Sequence, residues 1–385
     1  MIITDLSIAS CTHGFTTSAN IEWEASEFPK QRLFFEVRNS AIPIIAPSAD
    51  AFLLACYPLA ALHGEPRVQI HGNPCPMLVE GLLTAHAWWA AWGGIGSEAP
   101  VIETAPAGPR PVPWLCSAAV FVSGGVDGFH TVMGNRSLFS REDPASIRQA
   151  LFIEGYDIST RSWRPEPERY RQALALLEPV MAEADVRVLP CRTNLRDLPS
   201  RRGFWTYRHN GAALVAAGHV AVPSRGFLFI GSGYHLKHRV AMGSCPELDP
   251  LYSSQRLSVQ HFGARLTRVQ KLRELASWPR AIAALRVCPG GAADGPNCGV
   301  CEKCLRTRLE LLVAGIEETP TLGPSLTPVE QWEALPPTVG HRTFMYDELI
   351  SELQSLGHDA LCRVLLHRTA TYDAWTRAEE PWPAL

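Results

Sequence analysis

Phe121-Val122-Ser123-Gly124-Gly125-Val126-Asp127-Gly128 follows an apolar run at residues 114–122 and precedes a helical segment beginning near Phe129. The run reads as a buried strand. A strand, a glycine turn and a helix start, in that order, aim several backbone N–H groups at one point by the positive end of a helix dipole. That geometry suits a phosphate, with Ser123, Gly124, Gly125, Val126, Asp127 and Gly128 as its cradle. Asp127 in the same turn is placed to hold Mg²⁺ against phosphate oxygens. An ordinary βα turn is the plainer alternative.

Working outward, strands and helices alternate. Residues 150–154, 186–191 and 227–231 read as strands, and residues 168–184 and 204–220 as helices. Such alternation predicts an α/β fold with a parallel sheet and helices on both faces. Ligands of these sheets bind beyond the carboxyl ends of strands. The Ser123 loop, Gly155-Tyr156-Asp157, Thr193-Asn194 and Gly231-Ser232-Gly233 all fall there.

Before the loop, residues 32–45 and 67–71 read as strands, Ser48 caps a helix, and residues 76–92 form another. Trp88, Trp89 and Trp92 on that helix suit core packing, with an exposed partner surface as the alternative. The predicted organisation is a small α+β unit at 1–103, a proline-rich linker at 104–113, the parallel-sheet domain at 114–316, and an appendage at 317–385. Helices at 345–356 and 358–370 make up that appendage.

Cys288, Cys298, Cys301 and Cys304 hold four of the 11 cysteines, and the last three are separated by two-residue spacers. Tetrahedral Zn²⁺ takes four thiolates from such a knuckle. Gly299 permits the turn, and a helix over 302–312 puts Cys301 and Cys304 on one face. Chance clustering and paired disulfides are the alternatives. The other seven cysteines are scattered, as expected in a reduced, cytoplasmic compartment.

The charge balance, 35 basic against 38 acidic residues for a net −3, provides no global attraction to nucleic acid. Lys30 is the first basic residue, so the charged start of a signal peptide is not expected. No apolar run is long enough to span a bilayer, so no membrane partner is expected.

Ser123-Gly124-Gly125-Val126-Asp127 resembles the pyrophosphate loop (PP-loop) of N-type ATP pyrophosphatases, whose domain is adenine-nucleotide-hydrolase-like. Cys288-Pro289-Gly290-Gly291, followed by Pro296-Asn297-Cys298-Gly299-Val300-Cys301-Glu302-Lys303-Cys304-Leu305-Arg306, resembles one branch of that family, the 7-cyano-7-deazaguanine synthases. Ser244-Cys245-Pro246-Glu247-Leu248-Asp249-Pro250-Leu251-Tyr252 is similar to its acidic substrate loop, and Arg268-Val269-Gln270-Lys271 to the lysine-bearing helix before its zinc site. The resemblance spans residues 114–316, specific at its ends and loose between them.

It implies ATP, Mg²⁺ and Zn²⁺ as cofactors, Asp127 and Lys271 as catalytic residues, and Asp249 as a substrate contact, with a turn-forming acid as the alternative there; Asp157, beyond a strand's carboxyl end, is a second candidate substrate contact. It also implies adenylation of a carboxylate such as 7-carboxy-7-deazaguanine, then amide or nitrile formation with ammonia or an amine, releasing AMP and pyrophosphate. The partners are thus small molecules, with a peptide or protein as a further candidate acceptor and a homodimer as a candidate assembly.

Gly128 departs from the family's usual Ser or Thr, which removes one phosphate donor and keeps a non-catalytic nucleotide-binding scaffold as an alternative. A sulfur-inserting enzyme using Cys191 or Cys245 is another. Lys271 also fits an exposed helix lysine, and His209 and His261 fit capping or packing.

Overall fold

The computed structural model describes the chain apart from residues 12–13, 39–46, 106–115, 157–166, 202, 223–224, 239, 289–294, 336–343 and 380–385. In order, the elements are β1 (Ile2–Cys11), β2 (Gly14–Glu22), β3 (Gln31–Val37), α1 (Ala49–Leu62), β4 (Arg67–Ile70), α2 (Pro76–Ala91), β5 (Val101–Thr104) and β6 (Cys116–Phe121). Then come α3 (Val126–Leu138), β7 (Ile147–Glu154), α4 (Pro167–Glu183), β8 (Arg187–Thr193), α5 (Asn210–Ala221), β9 (Arg225–Gly231), β10 (Leu257–Phe262), α6 (Arg268–Leu275) and α7 (Pro279–Ala283). The rest is α8 (Glu302–Val313), a short β11–β12 pairing (Glu318–Thr319 with Gly323–Pro324), α9 (Val329–Glu333), α10 (Phe344–Ser355) and α11 (Asp359–Glu379).

The local signals act as their chemistry dictates. The Ser48 hydroxyl accepts from Ala51 N at 3.3 Å and caps α1, and Pro76 opens α2 where a missing N–H costs nothing. Trp89 of α2 and Trp92 at its C-cap are buried, and Trp88 packs partly buried against the same cluster, so these tryptophans serve the core. The helix expected over 204–220 instead starts with a π turn, Trp205–His209, before α5.

One sheet of 10 strands runs in the order β10-β9-β6-β7-β8-β3-β2-β1-β4-β5. From β10 to β8 neighbours are parallel; β8–β3–β2–β1 are antiparallel, and β1–β4–β5 parallel again. The chain leaves β6 through β7 and β8, then returns to β9 on the other side of β6. The carboxyl end of β6 is therefore the topological switch point, where such sheets leave a crevice.

The segments 1–103 and 114–316, expected to be separate units, are built into one sheet and one core. Phe35 and Val37 of β3 pair with Thr193 and Cys191 of β8, and Phe35, Phe52 and Trp89 share a buried cluster with Leu189, Ala216 and Tyr252. At Gly81 of α2, a Cβ would lie 1.8 Å from the Leu251 carbonyl oxygen, so only glycine permits this approach. Residues 106–113 of the expected linker lie outside the described residues. On the sheet's other face α3, α4, α6 and α7 enclose a second core, and α8 to α11 a third.

Candidate functional site

The Ser123–Gly128 turn leaves β6 at Phe121 and enters α3 at Val126, at the switch point. Gly124 takes φ +83°, and its carbonyl accepts from Arg286 N at 2.8 Å. Gly125 is the N-cap of α3 and supplies no side-chain cap, which leaves the first-turn N–H groups without that partner. A Cβ on Gly128 would stand 3.2 Å from Phe121 O and Val122 Cγ1. Glycine here lets α3 sit close on its own strand, and an added serine would need its neighbours to give by a few tenths of an ångström.

Asp127 lies between two cations. Its Oδ1 accepts from Lys271 Nζ at 3.0 Å and its Oδ2 from Arg268 Nη1 at 3.1 Å. Both cations come from α6, whose start is set by a reciprocal capping box between Thr267 and Gln270; spaced i,i+3, they share one face. Lys271 is 1% exposed, which overturns the exposed-lysine reading; its Nζ also donates to the Ser232 carbonyl. Burial pushes the Asp127 carboxyl up, but Lys271 and then Arg268 outweigh it and hold it below the usual range.

The cluster continues into α8. Arg268 Nε meets Glu310 Oε2 at 2.6 Å, Glu310 Oε1 accepts from Arg306, and Arg306 Nε reaches Glu302 Oε1 at 2.9 Å. Tyr346 of α10 donates to Glu302 at 2.8 Å. Three carboxylates thus face three cations. Burial opposes the Arg306 charge, yet Glu310 and Glu302 raise its pKa.

Two solvent-open clefts flank the segment after β9, with about 340 and 370 Å³ of open space. Ser232, Tyr234, Ser244 and His261 help line the first; Arg268, Glu310 and Glu348 help line the second. Asp249, expected to touch substrate, is fully buried and lines neither. Its Oδ2 accepts from Ser244 Oγ at 2.8 Å and from His261 Nδ1 at 2.7 Å, so it meets the first cleft indirectly, through those two lining residues. Asp157 lies outside the described residues. His209 is a packing residue, as expected: buried, it meets the Ala55 carbonyl through Nε2 at 2.9 Å.

Behind the cluster, Cys288, Cys298, Cys301 and Cys304 bring their sulfurs within 4.8 Å of one another. Cys288 and Cys301 Sγ are 3.7 Å apart, and Cys298 and Cys304 Sγ 3.9 Å. A metal–sulfur tetrahedron with bonds of about 2.3 Å has edges near 3.8 Å, whereas a disulfide needs about 2.05 Å. The four thiols fit a metal such as zinc and are not disulfide-linked. Gly299 takes φ +73° between the ligands, and Cys301 is the N-cap of α8. Asn297 locks the knuckle: its Oδ1 accepts from Val287 N and Cys288 N at 2.8 and 3.0 Å, and its Nδ2 donates to Leu285 O at 2.8 Å.

Sequence reasoning had not singled out Arg268, Arg286, Asn297 or Glu310, and had set His261 aside. A visible signal was the Thr267-x-x-Gln270 capping box, which phases Arg268 and Lys271 together. Among the described residues no helix is long and apolar enough to cross a membrane. Comparison of the chain with protein-family models, with curated proteins and with solved structures found no match in any of the three.

Proposed function

We propose that this chain is an ATP-dependent, AMP-forming carbon–nitrogen ligase of the 7-cyano-7-deazaguanine synthase type. The observation that carries the reading is Asp127, seated in a glycine turn without a side-chain cap at the switch point and facing Lys271 and Arg268. In this reading the backbone N–H groups of Ser123–Gly128 grip the pyrophosphate that leaves when a carboxylate attacks the α-phosphorus of ATP. Lys271 and Arg268 stabilise the charge that develops there. One carboxylate with phosphate oxygens and water is an ordinary Mg²⁺ environment, and Asp127 is the residue that would hold the ion. Bound Mg²⁺ supplies charge neutralisation on the phosphates.

An amine then takes the acyl group, giving an amide, or a nitrile after a second activation. The protein's task is positioning and charge stabilisation. Four thiolates leave no open position on a bound zinc, so the knuckle is structural. The crowding at Gly128 supplies a packing reason for glycine there, so the missing hydroxyl is not by itself a sign of lost activity. Sulfur insertion is disfavoured because burial pushes the Cys191 thiol up to about 12 and the Cys245 thiol higher still.

Nucleotide chromatography with ATP, Mg²⁺, 7-carboxy-7-deazaguanine and ammonium tests the reading. AMP and pyrophosphate should form only when the carboxylate is present. ADP as product would discard the family, and bound ATP without turnover would leave a nucleotide-binding scaffold.

A further inference from the structure

The Asp249–His261 pair has no part in adenylation, because a carboxylate nucleophile needs no base. It is nonetheless built with care. Asp249 sits on a 3-10 turn, Asp249–Tyr252, fully buried. The Ser244 hydroxyl at 2.8 Å and the His261 ring at 2.7 Å both address its Oδ2. With Nδ1–H donated to a carboxylate, the neutral imidazole carries its lone pair on Nε2. Nε2 has no protein partner among the described residues and is not one of the buried side-chain atoms lacking one. The ring it belongs to lines the first cleft.

The position of that cleft matters. His261 pairs with Ile230 in the β9–β10 ladder, at the carboxyl end of the sheet. Ser232 lines the same cleft, is tied to β10 through Phe262 O at 2.8 Å, and gives its carbonyl to Lys271. One residue therefore separates the space in front of His261 from the cation that holds Asp127.

We infer that His261, oriented by Asp249, is the general base for the second half-reaction, and that the first cleft admits a primary amine. This rests on the ligase reading above. As the amine nitrogen attacks the acyl-adenylate carbonyl, the new C–N bond forms and the C–O bond to AMP breaks with its electron pair leaving on the phosphate. The proton lost by nitrogen goes to His261 Nε2. His261 is then a catalytic residue, and Asp249 a positioning residue that selects its tautomer.

The test separates the two half-reactions in the full-length protein. Carboxylate-dependent exchange of labelled pyrophosphate into ATP reads adenylation alone, with 7-carboxy-7-deazaguanine as the probe. Amide formation with glycinamide reads the second half. His261→Gln, whose side-chain amide can still donate to Asp249, should stay folded with wild-type exchange while amide formation falls by about 100-fold or more. Hydroxylamine, already neutral and strongly nucleophilic at neutral pH, should capture the acyl group equally well in both proteins. Asp249→Asn should show the same split with a smaller loss.

Unchanged amide formation in His261→Gln, or exchange and amide formation falling together in folded protein, would overturn the base and leave the ligase reading standing. No carboxylate-dependent exchange in the wild type would remove the ligase reading, and the base with it.

Discussion

The cysteine knuckle and the Asp127 cluster both use α8, yet they are assembled in opposite ways. The knuckle draws all four sulfurs from one short stretch of chain, Cys288 to Cys304. The cluster draws Asp127 from α3, Arg268 and Lys271 from α6, Arg306 and Glu310 from α8, and Tyr346 from α10. A site made from neighbours in sequence can be read from spacing. A site made from distant charges exists only once the core has brought their helices together. Because Cys304 lies in the first turn of α8, and Arg306 and Glu310 follow on the same helix, the cysteine knuckle adjoins the element that carries half of the charges.

Removing a metal ligand is expected to have the largest effect. The isolated protein should contain one zinc per chain by elemental analysis. Cys301→Ser should be insoluble or melt far below wild type, since binding free energy at structural zinc sites reaches roughly 10 kcal/mol. Retained stability with no metal would break the comparison by showing that α8 is held without its knuckle.

A smaller loss is expected within the cluster. Glu310→Gln takes the shared carboxylate from partly exposed Arg268 and buried Arg306, each of which keeps one other acidic partner, and should lower the unfolding free energy by about 2–3 kcal/mol in urea titrations. Arg280→Ala, which removes an ion pair with Glu183 whose two side chains are 55% and 45% exposed, should cost less than about 1 kcal/mol. Equal losses would mean that the cluster behaves as a surface network.

The smallest effect concerns pH. The folded pKa of Asp127 lies below its ordinary 3.8. Its carboxylate therefore adds stability above that value, and the contribution fades as the pH falls toward the folded pKa. Asp127→Asn should melt below wild type near neutral pH, and the gap should narrow below about pH 4. A gap constant with pH would show that Lys271 and Arg268 do not hold that carboxyl down.

Strands β6 to β9 were legible because their apolar runs end at turn residues. β1 and β2 were not: Phe15-Thr16-Thr17-Ser18-Ala19-Asn20-Ile21 reads as polar, and buries Phe15, Ala19 and Ile21 only because β3 and β1 flank it. The proline-rich stretch before β6 suggested a domain boundary. The β3–β8 pairing and the Gly81–Leu251 approach join the segments on either side, and neither leaves a mark in composition. Lys271 was ambiguous for a similar reason, since a lysine in an amphipathic helix carries no sign of the carboxylate it will meet.

The sequence alone determined the α/β alternation, the glycine turn before α3 and the four metal-type cysteines, because each depends on interactions within a few residues: strand period, helix capping, ligand spacing. Only the tertiary structure decided that β6 lies at the switch point, that Asp127 meets Lys271 and Arg268, and that Asp249 meets His261. Those relations depend on which strands become neighbours and which charges lose water together, and both are settled by packing between segments far apart in the chain.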